Sequence, residues 1–288
     1  MKIGAIDLQV LNDGIMHLDG GAMFGVVPRV LWERKLAPDT QNRVKMALRC
    51  LLIRHDGKTI VVDTGVGDKL DPKEADRFGI ERDRGLVGEL AAHGVTPEEV
   101  DIVVNTHLHM DHAGGNTTRR QGALAPTFPN AEYWIQRVEW EEATHPNERT
   151  RATYLPENLE PIATTGQVRL FDGPTDIVPG IHWLITSGHT RAHTSVLVES
   201  DHESALFTVD VCPFVAHLER LAWIPAFDIE PLVSLETKRH VIADILAHDR
   251  LVIFDHDPDV AVARLAGSTE RWTVKTLTAD VPASAEGH

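Results

Sequence analysis

The sequence predicts an α/β fold in four layers, helix, sheet, sheet, helix (αββα), within one domain over residues 1–288. Three observations lead to it. A chain of 288 residues can bury a substantial core and is an ordinary length for a single α/β domain. Proline and glycine are scattered, with no internal repeat, low-complexity tract or linker to mark a boundary. Apolar runs of strand length fall into two groups, one in each half of the chain, and helical patterns accompany both. Two sheets stacked face to face, with helices on their outer faces, would bury both kinds of pattern.

Taken in order, the first group opens with IGAIDLQVL near the amino end and continues with ALRCLLIR around residue 50, TIVVD at 59–63 and DIVVN at 101–105. RGLVGELAAHG reads as a helix, and Thr96-Pro97-Glu98-Glu99 sets a proline just inside a capping-box arrangement. A further helix is expected over QRVEWEEATH at 136–145. The second group comprises HWLIT at 182–186, TSVLVES at 194–200, SALFTVD at 204–210 and RLVIFD at 250–255. Between its last two members, EPLVSLETKRHVIADILAHD at 230–249 repeats Leu232, Leu235, Val241, Ile242, Ile245 and Leu246 at three-to-four spacing. That is the pattern of an amphipathic helix laid on a sheet.

Composition removes several function classes. Hydrophobic residues at 42% and charged residues at 25% suit a globular protein, and no apolar stretch approaches the roughly 20 residues of a membrane helix. A formal net charge of −15 would repel a phosphate backbone, so no nucleic-acid partner is expected. The start, MKIGAIDLQVLNDG, lacks the basic opening and unbroken apolar run of a secretory signal. Cys50 and Cys212 are too few for a disulfide framework, and a cytoplasmic location is expected.

The chemistry concentrates at NTHLHMDHAGG, residues 105–115, where His107, His109, Asp111 and His112 fall within six consecutive positions just after an apolar run. Crowding these groups without a cation to neutralise and order them would be costly. Other expected strands also end at candidate ligands: ITSG runs into His189, FTV into Asp210 and VIFD into His256. Taken singly, a strand-end histidine or aspartate is more often a cap or core residue, and His189 and His256 bear that alternative. Read together, the set suggests two metal ions, with Asp210 the natural shared ligand because a carboxylate can bridge. Neutral imidazoles accept zinc, iron, manganese or cobalt.

These residues carry a resemblance. The pattern HxHxDH at His107, His109, Asp111 and His112, followed by Gly188-His189-Thr190, Asp210 and His256, and preceded by Asp63-Thr64-Gly65, resembles the metallo-β-lactamase superfamily over nearly the whole chain. The resemblance implies its αββα sandwich and two divalent metal ions, zinc first among them. It also implies a ligand division in which His107, His109 and His189 hold one ion, Asp111, His112 and His256 the other, and Asp210 bridges. Within the superfamily, HLDGGAMFGVVPRVLWERK at 17–35, FPNAEYWIQRVEW at 128–140 and the strand carrying Asp210 are most similar to the quorum-quenching N-acyl homoserine lactonases of the YtnP-like group. Some of those lactonases place a tyrosine three residues after the bridging aspartate, where this chain has Pro213.

The expected activity is therefore dinuclear metal-dependent opening of N-acyl homoserine lactones by a metal-bridging hydroxide. Asp111 is the candidate catalytic residue, moving a proton to the departing alkoxide; ligation alone is its alternative role. Met23, Phe24 and Phe214 are candidate acyl-chain contacts, within a wider apolar set of Val26, Val27, Trp32, Trp223 and Phe227. Core packing would explain the same residues. An organophosphate or aryl-ester hydrolase with the same metals is the rival enzyme, and a metal-stabilised binding protein the non-enzyme alternative. The partner expected is a small lactone or ester, with a homodimer through residues 20–35 implied by the resemblance.

Overall fold

Two seven-stranded sheets and a two-stranded ribbon form in the computed structural model, which describes residues 1–277. The last stretch of the expected domain, 278–288, lies outside the described residues. In spatial order the first sheet is Lys2–Ile3, Ile6–Asp19, Arg43–His55, Lys58–Val62, Ile102–Val104, Glu132–Gln136 and Val168–Phe171. The second is Thr175–Val178, Ile181–Ile185, Thr194–Ser200, Glu203–Phe207, Leu251–Ile253, Val262–Ser268 and Arg271–Leu277.

The two-residue period of a strand decides which side chains meet across the sandwich. Leu51 and Ile53, with Ile60 and Val62, enter the central core and meet Trp183, Val196, Val198 and Phe207 from the second sheet. Their neighbours Cys50, Leu52 and Val61 point the other way, against Leu86 and Leu90 of the helix Gly85–Ala92 and Ile162 of the helix Glu160–Thr164. On the far side Leu197, Leu206 and Val252 pack against Val241, Ile242 and Ile245 of the helix Pro231–His248. These three apolar interfaces make the four layers.

Two expectations are corrected. The strand expected over 204–210 stops at Phe207, and Val209–Val211 forms a single 3-10 turn. Val209 stands at φ 51, a conformation unfavourable for a β-branched residue, and this turn takes Asp210 out of the ladder. In the helix Pro231–His248, Leu232 is exposed, because the first turn lies beside the loop carrying His189 and not on the sheet. Glu230 N–H donates to Gly188 O at 3.0 Å, and a Cβ on Gly188 would come 2.3 Å from Ser234 Oγ. Only a residue without a side chain fits there at φ +136.

Candidate metal centre

Parallel pairing gathers the strand ends. Lys58–Val62, Ile102–Val104 and Glu132–Gln136 pair in parallel in one sheet, and Glu203–Phe207 pairs in parallel with Leu251–Ile253 in the other. Their carboxyl ends share one edge of the sandwich, where side chains can converge without interrupting a ladder. At that edge Asp63, held at φ 57, accepts the Thr106 N–H at 2.8 Å and the Thr106 hydroxyl at 2.7 Å. Its Oδ2 also lies 3.0 Å from His112 Nδ1. One carboxylate thus fixes both the start of the motif loop and the ring of its last histidine.

The side chains singled out from the sequence fall into two adjoining groups. The ligating atoms of His107, His109 and His189 lie within 4.8 Å of one another, with His189 Nε2 3.0 Å from His109 Nδ1. His112, His256 and Asp210 form the second group, together with Asp255. Here His112 Nε2 is 3.2 Å from His256 Nε2, and Asp111 Oδ2 is 3.6 Å from His256 Nε2 and 3.8 Å from His112 Nε2. Asp210 Oδ2 faces both groups: it lies 3.2 Å from His107 Nε2, 3.5 Å from His189 Nε2 and 3.0 Å from His112 Nε2.

The opposite nitrogens show why this arrangement fits cations. His112 Nδ1 donates to Asp63, His189 Nδ1 to Asp228 at 2.9 Å, and His256 Nδ1 to the Ala47 carbonyl at 2.7 Å. An acceptor at Nδ1 keeps the proton there and leaves Nε2 as an inward lone pair. His107 Nε2 is likewise buried with no hydrogen-bond partner. Lone pairs and carboxylate oxygens therefore converge on common points, and divalent cations satisfy them all at once.

The titration behaviour reflects the same charge pattern. Burial, followed by the neighbouring His112 for His107 and His189 for His109, holds these two rings well below the ordinary imidazole value, leaving them neutral as ligands must be. For His112 burial opposes the charged form, but the carboxylates of Asp111 and Asp210 outweigh it and raise the ring well above that value. His189 is raised to about 9, burial again being outweighed by Asp210 and Asp228. Burial works to raise Asp210, yet the surrounding histidines hold it well below the usual carboxylate range. The pocket as a whole favours positive charge.

Several residues that hold this geometry escaped the sequence reading. Glu139, on the helix Arg137–Thr144, is buried; its Oε1 accepts the Leu108 N–H at 2.9 Å and the Tyr154 hydroxyl at 3.0 Å, and its Oε2 accepts the Thr190 hydroxyl at 2.6 Å. The Tyr154 ring stands 5.0 Å from the His109 ring. Glu139 could have been noticed as an acid four residues before buried Ala143, on the inward helix face. Asp255 stands directly before His256 at the end of VIFD, where adjacency could have marked it, whereas nothing in local spacing marks Asp228. Met23, Phe24 and Phe214 lie in a buried cluster with Trp32, Met46 and Met110, and Met110 belongs to the motif turn itself. Phe24 stacks on Trp32 with centroids 5.2 Å apart. Val27, Trp223 and Phe227 are among the partly buried residues packed against this cluster.

Two helix-clad sheets with a doubled cradle of imidazoles and carboxylates at their shared edge define a two-metal protein of the αββα sandwich class. The chain belongs to the metallo-beta-lactamase superfamily, whose family model matches residues 49–263. It is 30% identical over 220 residues to an N-acyl homoserine lactonase of a Bacillus species, covering 72% of this chain and 80% of the relative. The N-acyl homoserine lactonase of Bacillus cereus is 29% identical over 228 residues, 75% of this chain and 83% of its own. Among solved structures, a probable metal-dependent hydrolase from Staphylococcus aureus aligns with a TM-score of 0.89 at 30% identity, over 97% of this chain and 99% of that one. AidC, a dizinc quorum-quenching lactonase, shares the fold at a TM-score of 0.79 and 18% identity, over 96% of each chain.

Proposed function

We propose that this chain, acting as one domain, is a dinuclear metal-dependent hydrolase that opens N-acyl homoserine lactones. The observation that carries the reading is the pair of acceptor groups sharing Asp210 Oδ2, in a chain whose curated relatives are N-acyl homoserine lactonases. In this proposal His107, His109 and His189 hold one ion, Asp111, His112 and His256 the other, and Asp210 bridges, with zinc the metal first expected. When bound, two divalent ions supply an electrophile for a carbonyl oxygen and bring the pKa of water toward neutrality.

The chain's own groups do the remaining work. Anchored Nδ1 protons on His112, His189 and His256 keep the rings from turning, so the reacting centre is ordered before substrate arrives. Asp111, whose side chain is 14% exposed against 6% for Asp210, is the carboxylate with access to solvent. It is proposed to carry a proton from the attacking water to the ring oxygen as the acyl carbon–oxygen bond breaks. Water thus adds across that bond and leaves the ring-opened N-acyl homoserine. Met23, Phe24 and Phe214 are proposed to back the wall for the acyl chain, with Val27, Trp223 and Phe227 at its surface.

The test is turnover of a long-chain acyl lactone against a phosphotriester on one metal-loaded preparation. A lactone preference is expected; more than tenfold preference for the phosphotriester would reverse the assignment. His109→Ala should lose metal and hydrolysis together, and a folded, metal-depleted variant with full activity would end the catalytic reading. Pairing of two copies through residues 20–35 is also proposed, supported by the 96%, 59% and 47% exposure of Val26, Val30 and Leu31. Sedimentation of wild type against Leu31→Asp tests it: a dimer only in the wild type is the expected result. A cytoplasmic site of action is proposed from Cys50 and Cys212, both free and buried. Among the described residues, no helix is long and apolar enough to cross a membrane.

A further inference from the structure

One carboxylate at the centre is accounted for by none of the seven expected ligands. Asp255 is 0% exposed. Its Oδ1 accepts the backbone N–H of His256 at 2.9 Å, while its Oδ2 has no hydrogen-bond partner and lies 3.2 Å from His256 Nε2. That nitrogen carries a lone pair, because His256 Nδ1 donates to the Ala47 carbonyl. A carboxylate oxygen and an imidazole lone pair at this separation, both shut off from water, repel each other unless a proton or a metal cation sits between them. The ligating atoms of His112, Asp210, Asp255 and His256 all lie within 4.8 Å of one another. Atoms that share one ion at bonds of about 2.0–2.2 Å have separations of this order.

We propose that Asp255 is an additional ligand of the second ion. This rests on the two-ion reading above and goes beyond it by adding one more carboxylate to a second site that Asp111 already makes more anionic than the first. The first site offers three imidazoles and one oxygen of the shared Asp210. The second offers two imidazoles and the carboxylates of Asp111, Asp210 and Asp255, a harder and more anionic set. Oxygen-rich sites favour manganese relative to nitrogen-rich ones, so the second site takes manganese in competition with zinc more readily than the first.

The experiment uses the full chain stripped with a chelator, then titrated with zinc and with manganese, read by metal analysis and by the electron paramagnetic resonance of bound manganese. Wild type is expected to hold two ions, one of them exchanging readily for manganese. Asp255→Asn, which keeps the side-chain volume, should bind the second ion at least tenfold more weakly and show a reduced manganese preference, while the first ion is unaffected. The thermal midpoint of the stripped variant should lie above that of stripped wild type, because a buried carboxylate without a partner has been removed. A residue that only supports the local fold would shift both quantities downward. If wild type binds two ions and Asp255→Asn binds both as tightly, with unchanged manganese preference, Asp255 is not a ligand and the two-ion reading survives. Fewer than two ions on wild type would remove that reading and this inference together. Should Asp255→Asn not fold, wild type alone decides: equal zinc-to-manganese ratios at both sites overturn the proposal.

Discussion

His217 shows what burial does to an imidazole that faces apolar rings. It is fully buried, donates from Nε2 to the Met23 carbonyl at 3.0 Å and stacks on Phe24 with centroids 5.0 Å apart. Burial first, and then the charge of Lys238, pushes its pKa down to about 3. The folded value is below the unfolded one, so as pH falls the unfolded chain takes up its proton first. The stabilisation is complete above roughly pH 6.5 and is lost on descending toward about 3, with about 2 kcal/mol gone by pH 5. Urea unfolding of wild type and His217→Gln at pH 8 and pH 5 checks this: the variant should lose less stability between the two. An equal loss in both proteins would remove His217 as the cause. At this scale the dense donors His107, His109, Asp111 and His112 were legible because they are adjacent in sequence. Asp228, 39 positions from the His189 it anchors, was not, since only the folded path brings the two within 2.9 Å.

Glu139 makes the helix Arg137–Thr144 a clamp on the first half of the cradle. Through Leu108 N–H it holds the backbone between His107 and His109, through Thr190 the residue after His189, and through Tyr154 the ring against His109. Glu139→Ala is expected to weaken the first ion by about 10–100-fold in a calorimetric metal titration. Glu139→Gln, which can present oxygen to Leu108 and Tyr154, should recover most of that loss; equal failure of both variants would assign the effect to charge and not to shape. The elements themselves were largely legible. TSVLVES was delimited to the residue, as Thr194–Ser200, because its Val196-Leu197-Val198 run is flanked on both sides by polar residues. The early end of Glu203–Phe207 was not, because the positive φ at Val209 contradicts the preference of valine and is imposed by its surroundings.

Across the whole molecule, the cradle draws on both sheets: His107, His109, Asp111 and His112 follow a strand of the first, and His189, Asp210 and His256 follow strands of the second. Ions bound there join the two halves, so chelation should lower the thermal midpoint, and added zinc should raise it in a concentration-dependent way. A midpoint indifferent to both would contradict a centre assembled from these residues. The four layers could be read from the sequence because each apolar run declares its period. Their relative placement could not, because registers between sheets are settled by packing such as Trp183 against Phe171, centroids 5.8 Å apart.

Dividing the donors between early and late segments also gives the protein a birth order. On the proposed ligand set, a ribosome must deliver residue 256 before the second site is complete, and until then the imidazoles of the first half are open to any competing first-row ion in the surrounding fluid. Complete metal loading is therefore expected only after that late segment has been made.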